Sequence, residues 1–214
     1  MNEYKHSADA SGFAPISDVI TDCLLDIRYY SSFNFVGQRI DGYEEPLALC
    51  TKECAAALKE VSQQLKKEGY LLKIFDAYRP QSALDHFLRW AQEDGHTDMK
   101  PYFYPDLEKE ELISQGYLIK HSPHSRGSTV DLTLFDMRTQ REVDMGSPFD
   151  LFREDSHPDF QGITPAQFQN RMLLRKVMLA HGFAPLATEW WHFTLKDEPY
   201  PDTVFTFPVR RFTK

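Results

Sequence analysis

No stretch of this chain approaches the roughly 18 consecutive apolar residues that a membrane-spanning helix requires. It also has no block of basic residues to neutralise phosphates; the nearest is "PVRRFTK" at the C-terminal end, which reads as a solvated tail. With 24 Lys and Arg against 32 Asp and Glu, the formal net charge is −8, which argues against a nucleic-acid partner. Cysteine is scarce. Cys23, Cys50 and Cys54 are odd in number, and no second pair exists to complete a zinc site with Cys50 and Cys54. They read as buried free thiols, which suits a reducing cytoplasm. The opening "MNEYKHSADASGF" lacks the apolar segment of a secretory signal. The expectation is a cytoplasmic protein without membrane contact, a periplasmic form made with a removed signal staying open. Internal repeats, low-complexity tracts and long linkers are absent as well.

The 214 residues are 42% hydrophobic and 14% aromatic, ample for a packed core, so disorder is excluded and one domain over residues 1–214 is expected. Oligomeric state is not set by the sequence, and a homo-oligomer stays open. The first fifty residues mix short β-like runs, "DVITDCLLDIRYY" and "FNFVG", with turn residues. From Thr51 to about Lys67, Cys54, Leu58, Val61 and Leu65 recur at helical spacing, and Gly69 sits where a C-terminal cap belongs. "YLLKIFDAY" reads as a buried strand, and Pro80 then starts a helix with Leu84, Phe87, Leu88 and Ala91 on its apolar face. Arg79 is thereby placed at a strand-to-helix junction, in the extended geometry that precedes proline.

Residues 94–120 read as a long loop with a short helix near 106–114, and 136–163 as a second loop-rich excursion. "STVDLTLF" is a strand with Val130, Leu132 and Leu134 on one face and Asp131 and Thr133 on the other. Thr164, Pro165 and Gln167 form a helix start with a capping box, and that helix stops at Gly182. Helices and strands follow no strict βαβ order. The fold class is therefore α+β: a central antiparallel sheet with flanking helices and long loops.

"ATEWWHFTLKDEPYPD" places Glu189, Trp190, Trp191 and His192 in succession. Tryptophans need burial, whereas a carboxylate and an imidazole resist it unless a metal ion or a paired charge offsets the loss of water. "HSPHSRGSTVDL" adds His121, His124 and Asp131. Two imidazoles and a carboxylate, taken as His124, Asp131 and His192, make a catalytic zinc set that leaves a fourth position for water. Gly127 suits the sharp turn between His124 and Asp131. Glu189 is the natural general base and Arg79 the group for an oxyanion. One difficulty is geometric: residues three apart on a strand point to opposite faces, so Glu189 and His192 converge only through a bulge or with Glu189 in the preceding loop. Plainer readings exist too: the Trp pair as core, "DAYRP" as a salt-bridged turn, His121 as the ligand in place of His124. His6, His86, His96, His157 and His181 read as surface or satisfied core residues.

Together these segments resemble the zinc D-alanyl-D-alanine dipeptidases of the vancomycin-resistance type, within a group that includes D,D-carboxypeptidases. The group pattern Ser-x-His-x-x-Gly-x-x-x-Asp, followed distantly by Glu-x-x-His, appears as Ser122, His124, Gly127 and Asp131, then Glu189 and His192. "DAYRP", "SRGSTVDLTL", "MGSPFD", "EWWHF" and "DEPYPDTVFTFPV" extend the likeness over roughly residues 20–210. "HSPH" departs from it, since two serines are expected before the ligand histidine. The resemblance implies one zinc ion held by His124, Asp131 and His192, Glu189 activating water and protonating the leaving amine, and Arg79 holding the oxyanion. It further implies substrate-binding residues: Asp150 for the substrate ammonium, Ser122 near its free carboxylate, and Asp76 in support of Arg79. The implied reaction is hydrolysis of the free D-Ala-D-Ala dipeptide, for glycopeptide resistance or recovery of D-alanine from peptidoglycan precursors. The rivals are a cell-wall D,D-carboxypeptidase or endopeptidase, and a zinc-retaining binding module without turnover. A small closed pocket walled by the two loop-rich segments is expected.

Overall fold

Local signals set the longest elements of the computed structural model, which describes residues 4–212. Thr51 caps α2 (Lys52–Lys67) by accepting the Cys54 N–H, and Cys54, Leu58, Val61 and Leu65 are all fully buried along its inner stripe. Helix α6 (Pro165–Ala180) begins with the Thr164–Gln167 capping box and ends at His181, ahead of Gly182 with φ 87°. Between them lie α3 (Gln81–Gln92), α4 (Lys100–Phe103) and α5 (Lys109–Ser114), with the one-turn α1 (Ile16–Val19) ahead of them all. Pro80 stands just before α3 with φ −66°, the value its ring fixes, and ψ 154°.

The strands are short except for two. They are β1 (Lys5–Ser7), β2 (Phe13–Pro15), β3 (Leu24–Leu25), β4 (Leu49–Thr51), β5 (Tyr70–Asp76), β6 (Thr129–Asp136), β7 (Arg141–Glu142), β8 (Phe183–Pro185), β9 (His192–Leu195) and β10 (Thr203–Phe205). The main sheet runs β3-β5-β6-β9-β8 with β7 on β6, and every pairing is antiparallel except β3 with β5. The expected α+β architecture with a mostly antiparallel sheet is what is found. Helix α2 packs against β5 and α6, and α6 against β8. The loop at 145–152 reaches β5, with Phe149 stacked on Phe75 at 4.6 Å. Residues 129–134 of β6 are therefore buried on both faces, so the side of β6 bearing Asp131 and Thr133 is interior rather than solvated.

Three sequence expectations change. "FNFVG" is a turn, not a strand: the buried Asn34 side chain donates to the carbonyls of Arg28, Ser31 and Gln38 and accepts from Val36 and Gly37 N–H groups, a local alternative to sheet pairing. "DVITDCLLDIRYY" contributes only the two-residue β3 after α1. "PVRRFTK" is anchored: Val209 is fully buried, its N–H bonds Gly42 O at 2.7 Å, and Arg210 and Arg211 pair with Glu44 and Asp18. Its last two residues, 213 and 214, lie outside the described residues. Cys50 and Cys54 are buried free thiols as expected, and Cys23 is half-buried.

Candidate active site

The centre forms where β6 meets β9 and the chain leaves β5. Asp131 and His192 are direct cross-strand partners, so their side chains share a face. His124 stands on a 3-10 turn (Pro123–Arg126), whose entry Ser122 caps by accepting the His124 N–H. Gly127 ends this turn in the left-handed conformation, φ 83°. The His124 Nδ1–H donates to Ala77 O at 2.7 Å, which leaves Nε2 to face Asp131 and His192.

Three atom pairs define the cluster: His124 Nε2 to His192 Nδ1 at 3.2 Å, His124 Nε2 to Asp131 Oδ2 at 3.3 Å, and His192 Nδ1 to Asp131 Oδ1 at 3.2 Å. Ligand atoms ~2.0–2.1 Å from one tetrahedral ion would be about 3.3–3.4 Å apart. The two imidazoles come close to that spacing, and one ligand atom from each of the three side chains lies within 4.8 Å of the others, so the group could hold a metal. Buried Asp131 Oδ1 lacks a hydrogen bond of good geometry, an orphan acceptor that a cation would satisfy. His121 is exposed and contacts Tyr4 instead, which leaves His124 as the imidazole in the cluster.

Glu189 lies in the turn before β9, and the geometric difficulty disappears with it. The His192 N–H approaches Glu189 O, and Glu189 Oε2 comes to 3.5 Å from His192 Nδ1. Arg79 Nε donates to Asp76 Oδ2 at 2.9 Å and Nη2 to Asp131 Oδ2 at 3.4 Å, with the guanidinium 4.8 Å above the Tyr29 ring. Asp76, 1% exposed and outside the cavity wall, also accepts from Tyr43 OH at 2.6 Å; it sits behind Arg79 as a support.

Burial raises the Glu189 carboxyl above its ordinary value, with Asp131 pushing the same way against His192 and Arg79. Asp150 is pushed well up by burial and by Asp131. Burial lowers the His124 pKa; for His192 burial acts the same way but Asp131 and Glu189 outweigh it, so its pKa rises. Burial pushes the Asp131 carboxyl up, but both imidazoles favour its charge and outweigh that push, so its pKa is lowered.

All these groups except Asp76 face a cavity of about 530 Å³, the scale of a small-molecule site. Both loop-rich segments supply its walls, through Gln115–Ile119 and through Asp150, Phe152, Glu154 and His157. Ser122 and Asp150 are each 5% exposed and line it, so every site residue inferred from sequence is at or directly behind the cavity. His157, read as a bland residue, is in the wall. Tyr29 was missed: its OH donates to Asp150 Oδ2 at 2.9 Å across 121 residues, and nothing in "DIRYY" signals that.

A three-donor metal cluster with a carboxylate and a guanidinium beside it, opening to a small cavity, is the arrangement of a metallopeptidase. A family model described as D-Ala-D-Ala dipeptidase matches residues 9–210, and the chain belongs to that family. It is 45% identical over 199 residues to a D-alanyl-D-alanine dipeptidase of Enterococcus faecalis, covering 93% of this chain and 98% of the relative. The Streptomyces coelicolor protein of that name is 42% identical (92% and 98% covered), and that of Escherichia coli 31% (88% and 86%).

Proposed function

We propose that this chain, as a single domain of residues 1–214, hydrolyses free D-alanyl-D-alanine to two D-alanines with one zinc ion held by His124, Asp131 and His192. The convergence of those three side chains beside Glu189, at one wall of a cavity of about 530 Å³, carries the reading. When bound, zinc supplies Lewis-acid polarisation and lowers the pKa of water. Glu189 takes the proton from attacking water and returns it to the leaving amine, a task suited to a carboxyl whose pKa burial raises. Arg79, fixed by Asp76, presents its guanidinium where the carbonyl oxygen gains charge.

The dipeptide has a charge at each end. Asp150 receives the ammonium: buried carboxylates that push its pKa up are relieved by an arriving cation. Ser122, whose oxygen accepts the His124 N–H, has its hydroxyl proton left to donate to the free carboxylate. A cavity matched to both ends selects the free dipeptide over longer peptides. The cytoplasm, where Cys23, Cys50 and Cys54 stay reduced, is the proposed compartment, and turnover of peptidoglycan precursors the proposed role.

The test is release of D-alanine from D-Ala-D-Ala by the metal-replete protein, its chelated form and Glu189→Ala, with L-Ala-L-Ala and a D-Ala-D-Ala-terminated pentapeptide alongside. Turnover of the free D,D-dipeptide alone, lost on chelation and in the variant, supports the reading. Pentapeptide cleavage instead would move the chain to the carboxypeptidases.

A further inference from the structure

Arg171 lies on α6, in the helical layer, and is 2% exposed. No carboxylate pairs with it among the described residues. Its guanidinium donates instead to Met145 O at 2.5 Å, Asp155 O at 2.7 Å, His157 O at 2.7 Å and Ser147 Oγ at 3.2 Å. All four acceptors belong to one loop, and they lie on both of its shanks. A buried cation held only by neutral acceptors is expensive, and an apolar residue would cover the same helix face more cheaply. Burial lowers its pKa to about 10, so it remains a cation at neutral pH.

The loop bridged in this way carries Asp150 at its far end. Asp150 has φ 60°, the left-handed region that a residue with a side chain adopts at a cost and keeps only when its surroundings over-determine it. The same bridge reaches the turn after Glu189. Ser147 Oγ also accepts from Trp190 Nε1 at 3.0 Å, and the Trp190 N–H donates to Ser156 O at 3.0 Å. The loop bearing the ammonium partner and the turn bearing the proposed base are thus tied through one guanidinium and one serine.

We infer that Arg171 is a positioning residue: by clamping both shanks of the 145–157 loop it holds Asp150 in the cavity and sets how tightly the substrate ammonium is bound. This rests on the assignment of the ammonium to Asp150. It acts through Asp150 and touches no reacting atom.

Arg171→Lys keeps the charge but loses the fork that reaches four acceptors. With D-Ala-D-Ala as substrate, it should raise KM about tenfold, as expected when hydrogen bonds to a charged group are lost, with kcat and metal content nearly unchanged. Ser147→Ala should give a smaller rise of the same kind. Arg175→Ala, at a half-buried arginine on α6 paired with Asp159, should leave KM alone. In an Asp150→Asn background, Arg171→Lys should add no further rise. Hydrogen exchange of the intact metal-loaded protein should show residues 147–152 exchanging faster in Arg171→Lys, with α6 unaffected. A KM effect that multiplies with Asp150→Asn, a loss confined to kcat, or unchanged exchange in the loop would overturn the inference. If Arg171→Lys does not fold, Ser147→Ala decides by the same readouts. If the wild type does not cleave the dipeptide, the proposed function fails, and loop exchange alone decides whether the clamp exists.

Discussion

Gly127→Ala should destabilise the protein and weaken its metal site together, and the size follows from the turn. Gly127 has φ 83°, and an added Cβ would overlap the Phe13 ring carbons Cε1 and Cζ while standing 3.2 Å from Thr51 Cγ2. Phe13 has no room to yield, because Phe205, Phe207 and Tyr78 pack edge-on around it at centroid distances of 4.7, 4.9 and 5.2 Å. The left-handed backbone costs an alanine about 1–2 kcal/mol. Overpacking adds about 1–3 kcal/mol, giving a sum of about 2–5 kcal/mol. Relaxing the turn instead would strain its two hydrogen bonds, Gly127 N to His124 O at 3.0 Å and Thr51 N to Gly127 O at 2.8 Å, and so shift His124. Equilibrium urea unfolding should show a lower midpoint at unchanged m, and titration of the apoprotein with zinc should show weaker binding. A loss below about 0.5 kcal/mol, the range of an ordinary surface substitution, together with unchanged zinc affinity, would refute the argument.

Asp76→Asn removes the charge from a buried partner of Arg79; urea unfolding should show a loss of about 3 kcal/mol or more. If Arg79 moves as a result, kcat should fall about a hundredfold, as when one oxyanion donor is removed, with zinc content retained. Chelation should lower the thermal midpoint: at a free metal concentration a thousandfold above the dissociation constant, binding to the native state alone contributes about 4 kcal/mol. A midpoint indifferent to chelator would count against the His124, Asp131 and His192 site. His86 is buried, accepts the Asp41 N–H at Nδ1, and burial lowers its pKa below 6.5. Its contribution is present above the unfolded value near 6.5 and is lost as pH falls through the folded value, because the unfolded chain then binds the proton more readily. Urea midpoints between pH 7 and pH 5 should therefore fall less steeply in His86→Asn than in the wild type.

Much of the scaffold was legible because its determinants are local. Thr51 and Thr164 cap helices through residues three positions on, and Gly69, Gly127 and Gly182 stand at positive φ where the chain turns. The 94–120 segment was read less well, with α4 unseen, since a four-residue helix shows too little periodicity. "FNFVG" misled because its aromatic content resembles a strand, whereas the hydrogen bonds of Asn34 decide its shape.

What the sequence determined by itself was the set of candidate site residues and the local geometry of each: His124 in a glycine-ended turn, Asp131 on a strand, Glu189 and His192 three apart, Arg79 before a proline. Only the tertiary structure decided that Asp131 faces His192 across β6 and β9, that Glu189 lies in a turn and not on a strand, and that Tyr29 reaches Asp150. It alone placed Arg171 against the loop behind that carboxylate. Capping and turn formation act through atoms a few bonds apart and leave a pattern in neighbouring residues. Cross-strand register and loop bracing join residues tens to over a hundred positions apart, and no periodicity in the chain records them.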